Sequence, residues 1–284
     1  SAAQTGTQPE SPPARRRTSL PRSLWTMAFT ELWERFSFYG LQGILSFYLL
    51  FSLAEGGLAV EPAVAASIVG AYGGCVYVSQ IAGAWLGDRL VSPRLLVLWG
   101  GVVIAVGHVA LAVLPGFVGL GIGLALVVAG TGALKTNITS IVGHALAGDD
   151  LRRDAGFSYF YMAINVGAVV GPLATGLTQS LAGFHVGFGL AAVGMVVALV
   201  VYLTSMRTLP ERASVVANPI ERRRLVVPAV GVAVVAALVA IAVATRVVNE
   251  VNLVGIVTGV AVLAAGAYFA LMLSSRTITR DERR

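Results

Sequence analysis

Glu31, Glu34 and Arg35 stand together in Glu31-Leu32-Trp33-Glu34-Arg35-Phe36-Ser37-Phe38-Tyr39-Gly40, within a stretch otherwise apolar enough to span a bilayer. A charge at the centre of a membrane helix costs roughly 2.5–3.5 kcal/mol on insertion scales. The spacing i, i+3, i+4 puts all three on one helical face. That face has to look into protein or a water-filled cavity, which in a membrane protein makes it a functional-site candidate. A fourth charge, Lys135, lies in the apolar run Gly130-Thr131-Gly132-Ala133-Leu134-Lys135-Thr136-Asn137. The run has a faint likeness to a phosphate-binding loop, but Gly and Lys are not adjacent and no strand precedes it, which argues against a nucleotide site. Gly119, Gly121 and Gly123 fit close helix packing rather than dinucleotide binding.

The elements that must hold these charges follow from composition. Of 284 residues, 56% are hydrophobic and only 12% charged, against about 25% charged in a soluble domain. The sequence therefore reads as an all-α integral membrane protein. Eight apolar segments are expected to span, at about 24–51, 64–86, 95–114, 117–142, 157–181, 186–206, 225–245 and 251–273. Gly56-Gly57, Ser92-Pro93, Pro115-Gly116 and Ala182-Gly183 mark the breaks. The net charge of +6 does not form a nucleic-acid-binding face. Instead Arg15–Arg17 and Arg22 precede the first span, and further arginines follow the second, fourth, sixth and eighth. Alternate loops hold only Arg246, so both termini are expected in the cytoplasm of a multi-pass protein of the cell (inner) membrane.

Four units are expected: a disordered tail (1–23), a six-helix bundle (24–206), a polar linker (207–224), and a two-helix transmembrane hairpin with a basic tail (225–284). Glu31 and Lys135 come out about 10 Å from the cytoplasmic ends of their spans, and Tyr77 and Asn165 about 12–14 Å, at 1.5 Å per residue. Four helices thus place polar groups in one slab, where two acids and two bases can neutralise one another. The buried charges fall on the first helix of each triplet of spans, a hint of 3+3 inverted repeats. Cys75 has no partner for a disulfide, and His108, His144 and His185 lack ligand spacing, so no metal site is expected. Asp88, Arg89 and the charges from Asp149 to Asp154 read as loop residues acting as caps or gates. No nucleophile–base spacing supports an enzyme.

The first-helix segment, Phe160-Tyr161-Met162-Ala163-Ile164-Asn165-Val166-Gly167-Ala168, Gly83-Ala84-Trp85-Leu86-Gly87-Asp88-Arg89-Leu90 and the Lys135 segment together resemble the proton-coupled oligopeptide transporter family of the major facilitator superfamily. The resemblance covers about 24–206, and the hairpin resembles the two-helix insertion of bacterial members. It implies proton-coupled uptake of di- or tripeptides by alternating access, driven by the proton gradient with no bound cofactor. Glu31, Glu34, Arg35 and Lys135 would then couple to protons, with Glu31 exchanging a salt bridge with Lys135. Arg35 and Lys135 would attract the peptide carboxylate, and Tyr39, Tyr77 and Asn165 would hold the peptide. Phe38 and Gln42 depart from the pattern, where Tyr and Arg occur in members. The chain also lacks the family's second six-helix bundle and is expected to be an amino-terminal half. Two alternatives stay open: a transporter of nitrate or another small anion clamped by Arg35 and Lys135, and a half that acts only by associating with other membrane helices.

Overall fold

The computed structural model describes residues 20–147 and 150–221, with isolated positions at 237, 241, 245, 252, 255–256, 258–260, 262–263 and 266. Six long helices follow one another: α1 (Arg22–Leu50), α2 (Pro62–Arg89), α3 (Pro93–Val113), α4 (Gly116–Ala145), α5 (Asp150–Ala182) and α6 (Phe184–Ser205). Among the described residues, five of them (α2 to α6) are long and apolar enough to cross a membrane. α1 is of comparable length, and its charged face sets it apart from the other five.

Local chemistry fixes the helix ends. Pro62 and Pro93 open α2 and α3, where a missing N–H is harmless and the fixed φ suits the helix. Gly183, at φ 90°, makes the break between α5 and α6 in a conformation that side chains disfavour. In the connection after α1 the Ser52 hydroxyl and amide both donate to the Glu55 carboxylate, at 2.6 and 3.1 Å. Those two bonds hold the Glu55 carboxyl below the usual carboxylate range.

α1 lies along α5 and α6, α4 lies along α2 and α3, α3 packs on α6, and α1 touches α4. Exchanging α1–α3 for α4–α6 maps this set of pairings onto itself. Small residues set the close approaches. A Cβ on Gly100 of α3 would sit 2.8 Å from the Gly130 carbonyl of α4, and one on Gly130 would sit 2.6 Å from that of Gly100. Gly167 and Gly171 of α5 likewise lie against the Leu32 and Phe36 carbonyls of α1.

Two apolar clusters divide the interior. One gathers Leu24, Met27, Val97, Leu134, Val142, Leu146 and Tyr202; the other gathers Leu41, Leu45, Tyr48, Tyr72, Leu111, Val127 and Phe188. On α1 the first ends at Ala28 and the second begins at Leu41, so Glu31, Glu34 and Arg35 fall between them.

Three boundaries differ from expectation. α1 already includes Arg22 and buried Ser23, which were assigned to the tail. Asp88 and Arg89 are the last residues of helix α2 rather than loop residues. α5 starts at Asp150, so Arg152, Arg153 and Asp154 are helical; Asp149 lies outside the described residues. The physical reason is common to the last two. Bilayer thickness sets the length of the apolar run, whereas a helix continues into water wherever its residues tolerate it, with an acid favoured in the first turn and a base in the last. The linker packs on the bundle: Ala213 is fully buried, and the Asn218 and Ile220 amides donate to the Asp88 and Arg89 carbonyls at 2.8 and 3.1 Å. Carbonyls at a helix end have no partner within the helix, and here the linker supplies it. The expected hairpin lies outside the described residues apart from isolated positions, which are helical except for Thr245 and Asn252.

Candidate functional site

The i, i+3, i+4 spacing delivers what it promised: Glu31, Glu34 and Arg35 point to one side of α1 and are buried there. Arg35 Nε donates to Glu34 Oε2 at 2.5 Å, and its terminal nitrogen to Glu34 Oε1 at 2.7 Å, a bidentate pair. Arg35 Nε also lies 3.5 Å from Glu31 Oε1. The Lys135 ammonium of α4 donates to the same Glu31 oxygen and closes the set across the α1–α4 contact. Glu31 Oε2 has no hydrogen-bond partner among the described residues. Thr131, one turn before Lys135, donates to Glu34 Oε1 at 3.4 Å. The Arg35 guanidinium carbon rests 4.7 Å over the Phe38 ring and 5.7 Å from that of Tyr39, so its apolar flank meets π faces.

The set holds two carboxylates and two cations and is neutral as a whole, which is what makes it tolerable at this depth. Its members differ in freedom. Glu34 and Arg35 pair as a bidentate fork on one helix. Lys135 reaches Glu31 from another helix on a flexible four-carbon stem, with 21% of its side chain exposed. The Lys135–Glu31 contact is therefore the more adaptable of the two.

The remaining expected residues differ in exposure. Tyr39 is half-buried beside Arg35. Tyr77 is 73% exposed on α2. Asn165 is exposed on α5, its amide donating back to Tyr161 O at 2.8 Å. Asp88 and Arg89 are exposed at the end of α2, away from the charged set. The Gly130–Asn137 run is uninterrupted helix, and Asn137 donates to Gly83 O at 3.1 Å, joining α4 to α2. His108 is buried on α3, while the His185 ring lies 2.9 Å from Leu111 O. Among the described residues no three His, Cys, Asp or Glu side chains converge as a metal site. Thr131 was not anticipated; its only sequence signal is its position four residues before Lys135, on the same face.

The model of the POT family (PTR2) matches residues 94–281. The chain is 39% identical over 264 residues to the "Uncharacterized transporter YclF" of Bacillus subtilis, covering 93% of this chain and 54% of that protein. It is 38% identical over 274 residues to a di-/tripeptide transporter of Lactococcus lactis subsp. cremoris, covering 93% and 55%. A crystal structure of a peptide transporter POT in complex with sulfate superposes with a TM-score of 0.82 at 40% identity, covering 93% of this chain and 55% of that one. The chain spans about half the length of these relatives. The superposition takes in the helices that carry Glu31 and Lys135, and with a family model matched over more than half of its length this multi-pass membrane protein is a member of the POT family.

Proposed function

We propose that this chain is the amino-terminal bundle and insertion hairpin of a proton-coupled symporter of di- and tripeptides. In this reading a tail precedes α1, the six helices form a bundle of 3+3 inverted repeats, and a linker leads to a two-helix hairpin, giving eight spans with both termini cytoplasmic. The observation that carries the mechanism is the interhelical Lys135–Glu31 pair beside the Glu34–Arg35 fork. Lys135 neutralises Glu31 while no substrate is bound. The carboxylate of an arriving peptide competes for Lys135, and Arg35 offers it a second cation. Drawing Lys135 away leaves a buried carboxylate without its counter-charge, and protonation is the cheaper remedy. Substrate arrival and proton uptake become one event, and the four groups titrate as a set. Exposed Tyr77 and Asn165 with half-buried Tyr39 hold the peptide backbone, and Asp88 and Arg89 serve the gate. The relatives, named as transporters, favour this reading over an enzyme.

The test uses the protein together with its second bundle, reconstituted in liposomes with an acid-outside gradient. Lys135→Ala and Glu31→Gln should each cut gradient-driven dialanine uptake about ten- to hundredfold, the kinetic equivalent of one charge-assisted interaction of roughly 1.5–3 kcal/mol. Uptake unchanged in both variants would sink the coupling mechanism. Dialanine uptake displaced by nitrate would instead support an anion carrier.

A further inference from the structure

One buried group near the site has no task in the arrangement described. Tyr72 of α2 is only 4% exposed, and its hydroxyl has no hydrogen-bond partner among the described residues. A buried unpaired hydroxyl is costly, and one that a folded protein retains calls for an explanation. The Tyr72 ring stacks on Phe38 of α1, with centroids 6.0 Å apart and planes 28° apart. Phe38 in turn carries the Arg35 guanidinium on its face, and the Tyr72 hydroxyl lies within electrostatic reach of both Glu34 and Arg35. Tyr72, Phe38, Arg35 and Glu34 thus form one contiguous stack between α2 and α1. Phe38, in its middle, offers a ring and no hydroxyl.

The acceptors explain why the hydroxyl is idle here. Both Glu34 oxygens are taken by Arg35, and Oε1 also by Thr131. If Arg35 turns towards an anionic group of the substrate, Glu34 loses its two best donors while staying buried. The other charged groups cannot replace them. Glu31 repels Glu34, Lys135 from α4 is committed to Glu31 or to the substrate, and the Tyr39 ring is engaged by Arg35 and Phe38.

We propose that Tyr72 is a positioning residue of the charged site, whose hydroxyl donates to the Glu34 carboxylate when Arg35 leaves it for the substrate. The assignment rests on the symport reading above. Tyr72 keeps Glu34 hydrogen-bonded through the exchange, so that the proton goes to Glu31 rather than being shared between the two acids.

The test is Tyr72→Phe, which removes one oxygen and keeps the ring, in the transporter with its second bundle. Proton-driven dialanine uptake should fall about three- to tenfold, the loss of one hydrogen bond. Its pH midpoint should move upward by about half a unit or more as Glu34 begins to compete for the proton, while the melting temperature stays as in the parent. Adding Phe38→Tyr returns a hydroxyl to the ring stacked on position 72 and should restore the parent profile. A Tyr72→Phe profile identical to the parent's, or a loss that Phe38→Tyr leaves unchanged at equal melting temperature, would overturn the assignment. A parent protein that takes up no dialanine under a gradient would overturn the symport reading itself, a result that none of the Tyr72 outcomes can mimic.

Discussion

Glu31 joins both cations of the set: its side chain is fully buried, one oxygen accepts from Lys135 and lies 3.5 Å from Arg35 Nε, and the other has no partner among the described residues. Removing one member of such a pair leaves an uncompensated charge, a change that costs about 3–5 kcal/mol in buried pairs. Lys135→Ala should therefore lower the melting temperature in detergent at neutral pH, and Glu31→Gln in the same background should recover most of the loss, because no charge is then stranded. Lowering the pH should shrink the deficit of the single variant, since a proton on Glu31 removes the stranded charge. Equal melting of the single and double variants at every pH would mean that water reaches Glu31 and that the pair is not the internal balance described here. The four charges were legible in the sequence because each interrupts an apolar run, and the helical period groups three of them. Thr131 and Tyr72 were not, since a hydroxyl in a membrane helix is commonplace until its neighbours are known. Counting depth has a limit. A count of residues gives height in the membrane but not the angle at which a helix faces its neighbours, so the exposure of Tyr77 and Asn165 was not legible.

At the scale of the helix, backbone contact decides how precisely the charges meet. α4 holds Lys135 opposite Glu31 only while α3 and α4 pack without intervening side chains at Gly100 and Gly130. A leucine at Gly130 has no room towards α3, and overpacking of this kind costs about 1–3 kcal/mol. Gly130→Leu should lower thermal stability in detergent, and Gly121→Leu on the same helix should not, since nothing lies within 4 Å of a Cβ there. Similar melting for the two would show that the α3–α4 contact is loose. Helix number and approximate extent among residues 20–221 could be read from run length, because hydrocarbon thickness imposes it. The ends could not. α5 continues into Asp150 and α2 into Arg89 because charged residues at helix termini outside hydrocarbon are favoured by the helix dipole. The docking of Asn218 and Ile220 on the end of α2 is a backbone contact between segments 130 residues apart in sequence, and no local pattern of side chains announces it.

For the molecule as a whole, the question is what covers α2 and α5. Only 22% of each of these spans is buried, against 44–50% for α3, α4 and α6. Lipid is a poor cover for α2, where exposed Tyr77 accompanies Ile81 and Trp85, and for α5, where exposed Tyr161 and Asn165 accompany the stripe Val166, Val169, Val170, Leu173 and Leu177. The exposed faces of α3 and α6 suit lipid better, being built from Trp99, Val106, Val109, Val193, Val196 and Val200. A face that mixes amide and phenol groups with a long apolar stripe fits a protein partner whose contact zone also borders a wet cavity. On the reading proposed above that partner is the second bundle, and the two halves meet along α2 and α5. Spin labels on cysteines replacing Leu173 and Leu177, with Cys75 changed to Ala, measure this through collisions with oxygen dissolved in the bilayer. In the protein with its second bundle these two labels should collide rarely, and labels at Val106 and Val196 often. In the 284-residue chain alone, all four should be similarly accessible. Frequent collisions at positions 173 and 177 in the longer protein would place α5 against lipid. The charged set on α1 and α4 would then lack a facing wall, and alternating access by rocking two halves about Glu31 and Lys135 would lose its geometric basis.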